Sequence, residues 1–329
     1  MRKVKLAAIQ PRYIPLPGKF NPYSKHYQND PDRIIEEYIK PQIEVTLKLL
    51  KEAGESGCDI VTTGEDLAGV APYYMDISEK NILGDLVEKS QVLVEKELSD
   101  LARQYSMYII GCYAKKSDGR LYNTASIFDR SGQIIGDYKK THLPPDEKWQ
   151  LTEGSSIDVF RLDFGTVGIC ICYDMMFPEV VRVLSLKGAE VIFHPTAGYG
   201  WYDAIGEATL RTRANDNSVY IVTAKNYVFN HAGRSSVIDH WGHIMVDAGF
   251  RENVVVMKEV DLDEKKLQPS WYNPTQVSGI PEVNIRHRKE RRPELYTEIT
   301  KPNEDPFVGL TEKEKFEVLK RIISGECHW

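Results

Sequence analysis

Apolar and polar positions follow two different periods along the chain, and each period predicts one kind of secondary structure. Apolar residues at helical spacing predict helices over residues 32–52 and 82–105. Short apolar runs bounded by turn residues predict strands over residues 4–10, 59–63, 108–114, 121–128 and 133–138. This alternation is typical of a layered α/β protein.

The same alternation continues through the second half of the chain. It predicts helices over residues 180–186 and 204–215 and strands over residues 166–171, 191–194, 218–224, 236–239 and 243–246. Hairpin turns at residues 129–132 and around residues 241–242 add antiparallel pairs to any parallel winding. We therefore predict two α/β halves that pack sheet against sheet.

The C-terminal part of the chain has a different character, with Pro-containing loops from residue 268 onward. A basic cluster occupies residues 286–292, and a helix is predicted over residues 312–324. We expect one domain over residues 1–300 and a tail over residues 301–329. Because such a tail buries little surface against itself, we expect it to pack on the domain or on a second subunit.

The charge balance and the cysteine content indicate what kind of substrate the protein binds and in which cellular compartment it works. The 329 residues carry 42 Lys and Arg against 48 Asp and Glu, a net charge of -6, which argues for a small-molecule substrate and against nucleic acid. No apolar run is long enough to cross a membrane or to form a signal-peptide core. The 5 cysteines lack CxxC spacing, so we expect free thiols, no metal site and a cytoplasmic location.

Three chemically distinct side chains follow the ends of predicted strands, namely those of Glu65, Lys140 and Cys172. In α/β folds the carboxyl ends of strands are where ligand sites lie. A carboxylate shielded from water, whose pKa is expected to be raised by that burial, can take the proton of a thiol, which then attacks a carbonyl carbon. The ammonium and a backbone N–H, here that of Tyr173, can stabilise the resulting oxyanion.

Three features of the sequence are Glu65, Tyr-Lys-Lys-Thr-His-Leu at residues 138–143 and Gly-Ile-Cys-Ile-Cys-Tyr-Asp at residues 168–174. In order and spacing they resemble the signatures of the nitrilase superfamily of carbon-nitrogen hydrolases. Residues 147–154 resemble the family segment that carries a second active-site glutamate, which is Glu147 here. One departure concerns Gly64, because the family usually has proline before its first glutamate.

The resemblance implies a cofactor-independent hydrolase in which Cys172 is the nucleophile and Glu65 the general base. It further implies that Lys140 stabilises the oxyanion, that Glu147 helps to position water, and that a thioester forms on the cysteine. The implied fold is a four-layer αββα sandwich, and the implied assembly is a homodimer or a larger homo-oligomer.

Residues after the nucleophile bear on the substrate. Nitrile-cleaving members usually carry glutamate where this chain has Asp174, which favours amide or carbamoyl substrates. Members that act on N-carbamoyl D-amino acids have arginines just after the cysteine turn, where Met175 and Met176 stand here. We therefore expect an uncharged or weakly polar amide, with an N-carbamoyl compound as the alternative.

Several residues have a structural interpretation beside a functional one. Met176, Trp201 and Tyr202 are candidates for an apolar substrate pocket and equally for the core. Cys170 is expected to pack, and His142 to order its loop through a hydrogen bond. The alternative to an enzyme is a binding or scaffold protein that has the fold but no catalytic activity. A nucleotide-dependent enzyme is disfavoured, because the sequence has neither a GxGxxG motif nor a P-loop motif.

Overall fold

The computed structural model describes residues 1–14, 30–74, 80–197, 203–227, 233–264, 290–301 and 312–323. The chain divides into two compact units, Met1–Asn284 and Ile285–Trp329. The boundary predicted between residues 300 and 301 stays a prediction, as does the packing of the tail.

Strands in the described part of the first unit form two six-stranded sheets. They are β1 (Lys3–Gln10), β2 (Ile60–Thr62), β3 (Tyr108–Ser117), β4 (Arg120–Phe128), β5 (Ile134–Lys139), β6 (Val159–Arg161), β7 (Thr166–Ile169), β8 (Val191–Thr196), β9 (Tyr220–Lys225), β10 (Ser236–Ile238), β11 (Ile244–Asp247) and β12 (Val254–Asp261). The strand orders are β12-β1-β2-β3-β4-β5 and β11-β10-β9-β8-β7-β6.

Both sheets combine parallel and antiparallel pairs. Strand β1 is parallel to β2 and antiparallel to β12, with Lys3 opposite Asp261 and Gln10 opposite Val254. In the second sheet, β7, β8 and β9 run parallel, which brings their carboxyl ends to one edge. The sequence pattern did not predict β6 or β12. β6 has only three residues, and in β12 the four apolar residues 254–257 are followed by the charged pair Lys258 and Glu259 instead of a regular alternation.

The observed helices coincide with most of the segments that the sequence predicts to be helical. The described ones are α1 (Pro31–Ile34), α2 (Lys40–Glu55), α3 (Ala71–Tyr74), α4 (Lys80–Tyr105), α5 (Pro178–Leu186), α6 (Asp203–Asn217) and, in the second unit, α7 (Glu312–Ile323). A π-helical turn, Ile35–Ile39, joins α1 to α2. Asp30 caps this segment, because its carboxylate accepts the Arg33 N–H at 3.0 Å, and Pro31 occupies the first turn.

Three apolar clusters hold the layers of the first unit together. The cluster between the sheets contains Ile110 from the first sheet and Val167 and Phe193 from the second, all fully buried. The other two clusters pack α2 and α4 on the first sheet and α5 and α6 on the second. Since each fully buried aliphatic side chain contributes about 1.5–3 kcal/mol, these clusters stabilise the sandwich. The predicted αββα architecture is confirmed.

The described helices also bear on membrane association. Within the ranges that the structure describes, none combines the length and the apolar character that crossing a bilayer requires.

Candidate active site

The ends of three strands bring the candidate residues to one edge of the sandwich. Glu65 follows β2 and Lys140 directly follows β5, both in the first sheet. Cys172 follows β7 in the second sheet and begins a 3-10 helix, Cys172–Met176. The site therefore lies where the two sheets meet.

The Lys140 ammonium lies between two carboxylates. Its Nζ donates to Glu65 Oε1 at 2.9 Å and to Glu147 Oε1 at 2.7 Å. These three residues are almost fully buried, with exposed fractions of 1% for Lys140, 2% for Glu65 and 3% for Glu147. Buried charges are tolerated only when they are paired and hydrogen-bonded, and this arrangement provides both.

Cys172 completes the cluster from the second sheet. The side chains of Glu65 and Thr196 lie close enough to its thiol to affect its ionisation. The backbone of Cys172 is left-handed, with φ at 43°. This conformation costs a residue with a side chain about 1–2 kcal/mol, and such strain is typical of a nucleophile on a sharp turn after a strand.

Burial and mutual charge set the ionisation of the cluster. Burial and the Glu65 charge raise the pKa of the Cys172 thiol to about 12. Burial alone would raise the pKa of Glu65, but the Lys140 ammonium brings it below the ordinary value. Burial and the Glu65 charge raise the pKa of Glu147 to about 7. The Lys140 pKa lies well above its ordinary value, because the neighbouring charges outweigh burial. The ammonium therefore faces the Glu65 carboxylate and a Glu147 carboxyl group that holds its proton to higher pH than usual.

Three residues that sequence reasoning missed hold Glu65 in place. Asn123 Nδ2 donates to Glu65 Oε1 at 2.8 Å, and the Ala197 N–H donates to Oε2 at 2.9 Å. Asn226 Nδ2 donates to the Glu65 backbone carbonyl at 2.6 Å. These partners come from β4 and from the segments after β8 and β9. No local motif signals them, because they meet Glu65 only in the folded protein.

Asn226 also accounts for the glycine before Glu65. A Cβ built on Gly64 would lie 2.1 Å from Asn226 Oδ1, far inside contact distance. The proline usual in the family does not fit beside this asparagine. Asn226 instead restrains the backbone at Glu65 through the hydrogen bond to its carbonyl.

Asp174 joins the nucleophile turn to the segment that carries Lys140. Its Oδ1 accepts from Thr141 Oγ1 and from the His142 N–H, each at 2.9 Å. Its Oδ2 accepts from the Tyr138 hydroxyl at 2.8 Å and from the Ile171 N–H at 2.9 Å. Asp174 therefore ties the nucleophile turn to the segment around Lys140.

The remaining candidates have different outcomes. Met176 is 46% exposed at the end of the 3-10 helix, and its role in a pocket stays a prediction. Trp201 and Tyr202 lie outside the described residues. Cys170 is buried in the apolar cluster under α5, as its predicted packing role requires. Among the described residues, His, Cys, Asp and Glu form no group of three that is arranged to hold a metal ion.

Comparison with known sequences identifies relatives over most of the chain. The profile of a family described as Carbon-nitrogen hydrolase matches residues 27–267. Omega-amidase NIT2 from Mus musculus is 31% identical over 277 residues, which cover 77% of this chain and 91% of the relative. Omega-amidase NIT2-B from Xenopus laevis is 32% identical over 274 residues, which cover 78% and 91%.

Comparison with solved structures shows the same fold. A carbon-nitrogen hydrolase from Helicobacter pylori G27 has a TM-score of 0.70 at 22% identity, covering 92% of this chain and 99% of the other. A mutant of the amidase from Nesterenkonia sp. AN1 has a TM-score of 0.67 at 18% identity, covering 90% and 99%. That structure shows the result of a Michael addition of acrylamide at the active site cysteine.

Proposed function

Because the chain belongs to the carbon-nitrogen hydrolase family, we propose that Cys172, Glu65, Lys140 and Glu147 are the catalytic residues with which it hydrolyses a small amide. The chain is an enzyme of the amidase type, which cleaves a carbon-nitrogen bond with a cysteine nucleophile. The observation that carries the residue assignment is the buried ammonium, 2.9 Å from one carboxylate and 2.7 Å from another.

The first step is attack of the Cys172 sulfur on the amide carbon. Since the pKa of the thiol is about 12 and that of Glu65 is low, a free thiolate is scarce in the resting enzyme. The proton therefore passes to Glu65 as the C–S bond forms. The carbonyl π electrons move onto oxygen, where the Lys140 ammonium and the Tyr173 N–H stabilise the charge.

The second step breaks the C–N bond. The tetrahedral intermediate re-forms its carbonyl, the proton on Glu65 passes to the leaving nitrogen, and ammonia or an amine departs. This leaves a thioester on Cys172. Water then gives a proton to Glu65 and adds to the thioester carbon, and the departing sulfur takes that proton as the acid is released. Glu147 holds the water through its buried carboxyl group.

The substrate is an uncharged or weakly polar amide. Several relatives are named omega-amidase, which supports a terminal amide. The two methionines after Asp174 support it as well, since they provide no cation for a substrate carboxylate. An N-carbamoyl compound is the second candidate, because the tetrahedral step at a ureido carbonyl is the same.

Ammonia release from a substrate panel tests this function. The purified protein is incubated with aliphatic and aromatic amides, N-carbamoyl amino acids and nitriles. We expect release from amides, and a loss of about 1,000-fold or more in Cys172→Ala, because the nucleophile is removed. Mass spectrometry of the wild-type protein during turnover is expected to find the acyl group on the peptide that contains Cys172.

Cys58→Ala is the matched control. Cys58 is also a free thiol, is buried with 4% exposed, and precedes β2, whereas Glu65 follows that strand. We expect this variant to keep its activity. Turnover of nitriles alone would overturn the amidase assignment, and turnover of carbamoyl compounds alone would favour the second candidate. If the protein turns over no substrate and forms no acyl adduct on Cys172, the result would support the alternative of a binding or scaffold protein without catalytic activity.

The compartment and assembly belong to the same proposal. We propose a cytoplasmic enzyme, supported by the free thiols of Cys58, Cys112, Cys170 and Cys172. We also propose a homodimer or a larger homo-oligomer. Sedimentation of the full chain at several concentrations tests the assembly, and a monomer throughout would contradict it.

A further inference from the structure

One peptide bond carries both the carbonyl of the nucleophile and the N–H proposed to bind the oxyanion. It joins Cys172 to Tyr173, and the described residues contain no cis peptide bond. In a planar trans peptide the C=O and N–H bonds point in opposite directions. Any group that fixes the Cys172 carbonyl therefore also aims the Tyr173 N–H.

His194 on β8 contacts that carbonyl. Its Nε2 lies 3.3 Å from the Cys172 oxygen, and its Nδ1 lies 3.0 Å from Thr223 Oγ1. A carbonyl can only accept, so Nε2 carries the proton and Nδ1 accepts from the hydroxyl. Burial lowers the pKa of the fully buried His194 to about 4, which keeps the ring neutral near physiological pH.

The turn needs such support because its backbone is strained. Cys172 has a φ of 43°, and strained residues persist only where their surroundings hold them. On one side, the Ile171 carbonyl, which belongs to the Ile171–Cys172 peptide group, accepts the Asp174 N–H at 3.0 Å. On the other side, His194 donates to the Cys172 carbonyl. The strained residue is thus held at both of its flanking peptide groups.

We propose that His194 is a positioning residue that aims the Tyr173 N–H at the oxyanion through the Cys172 carbonyl. The hydrogen bond also polarises the peptide group, which makes its N–H a stronger donor. The ring itself does not contact substrate. This inference rests on the proposed function for its catalytic consequence, but the contact can be tested separately.

Three substitutions separate the two ring nitrogens. The amide nitrogen of H194Q reaches about as far as Nε2 and can donate to the Cys172 carbonyl. The shorter amide of H194N lies near the Nδ1 position, within reach of Thr223 alone, and H194L makes neither contact. We expect H194Q to stay within a few-fold of wild type. We expect H194N and H194L to lose about 10- to 100-fold in kcat with little change in KM, since one oxyanion donor contributes up to about 1,000-fold.

A spectroscopic readout tests the contact without activity. Labelling with carbonyl-¹³C cysteine and ¹⁵N tyrosine marks only the Cys–Tyr peptide bonds, of which the chain has two, Cys112–Tyr113 and Cys172–Tyr173. Comparison with Cys172→Ala assigns them, since one signal disappears. We expect H194N and H194L to shift the Cys172–Tyr173 signal and H194Q to leave it near the wild-type position. The Cys112–Tyr113 signal is the internal control.

The outcomes separate this inference from the proposed function. A Cys172–Tyr173 signal that stays in place in H194N and H194L overturns the inference, whatever the activity. The inference is also overturned if H194Q and H194N lose kcat equally and both have a lower Tm. That result would indicate that His194 acts through packing. A wild-type protein that hydrolyses no amide overturns the proposed function and the oxyanion role with it, while the signal still decides whether His194 holds the peptide bond.

Discussion

At the scale of single residues, one lysine governs the ionisation of the site. Lys140 contacts both Glu65 and Glu147, but one positive charge balances only one carboxylate. The second carboxylate therefore holds its proton to higher pH, as the raised pKa of Glu147 shows. The same balance keeps the thiol protonated until a substrate carbonyl accepts the sulfur electrons.

The raised pKa of Glu147 predicts a pH dependence of stability. The ordinary pKa of 4.5 applies to the unfolded chain, whereas the value in the folded protein is about 7. The folded protein binds more protons between these values, so this contribution to stability is full below about pH 4.5 and is lost as the pH rises through 7. We expect urea unfolding of E147Q to show a free energy of unfolding that falls less with pH across this window. Equal falls in the two proteins would contradict the assignment.

A site residue can be predicted from the sequence when a local motif marks it, but not when its role depends on contacts that form only in the folded protein. Glu65, Lys140 and Cys172 stand in local motifs after apolar runs, so the sequence alone is enough to single them out as candidates. Asn123 and His194 act through neighbours that only strand pairing brings close. Nothing in their own segments distinguishes them from ordinary strand residues.

At the scale of elements, the turn after β2 depends on a glycine and a distant asparagine. A methyl group at position 64 collides with Asn226 Oδ1. We expect Gly64→Ala to lower the free energy of unfolding by about 1–3 kcal/mol, because the neighbouring side chain must move. We expect it also to lower activity, since the displaced Asn226 holds the Glu65 carbonyl. Urea unfolding and ammonia release measure the two effects.

A second glycine provides the matched control. Gly84 lies inside α4 with no atom within 4 Å of a built Cβ, so Gly84→Ala should stabilise the protein by about 0.5–1 kcal/mol. In a double-mutant cycle, Asn226→Ala relieves the collision at position 64. We therefore expect Gly64→Ala and Asn226→Ala together to destabilise less than the sum of the two. Additive effects would argue against the collision.

Prediction of the elements themselves succeeded where the apolar period was long. The 26 residues of α4 and the hairpin of β4 and β5 were predicted to within a few residues. The π-helical turn Ile35–Ile39 was not, since its residues still follow a helical pattern. The edge strand β6 is too short for a period to show.

At the scale of the whole first unit, the site belongs to neither sheet alone. Glu65 from the first sheet accepts the Ala197 N–H of the second, and Asp174 from the second accepts the Tyr138 hydroxyl of the first. The alternation of strands and helices was enough to predict this sandwich. It could not predict which side chains bridge it, because the bridges depend on how the two sheets are aligned.

The Asp174 bridge can be weakened without changing its shape. In Asp174→Asn one acceptor oxygen becomes an NH₂ group that faces hydroxyl and N–H donors. We expect the free energy of unfolding to fall by about 2–4 kcal/mol and activity to fall with it, since a buried network loses its acceptor. The control is Asp158→Asn, in an exposed pair with Lys187 at 3.0 Å, which should change stability by less than about 0.5 kcal/mol. Equal effects of the two substitutions would contradict the bridging role.

The pairing of β1 with β12 has a consequence for biosynthesis. β12 extends from Val254 to Asp261 and lies along the whole of β1, which begins at Lys3. A ribosome must synthesise nearly the entire first unit before its opening strand finds this neighbour, and contacts so distant in sequence slow folding. Until then the edge of β1 is open to pairing with other nascent chains. We therefore expect the newly made polypeptide to depend most on chaperones just before β12 emerges.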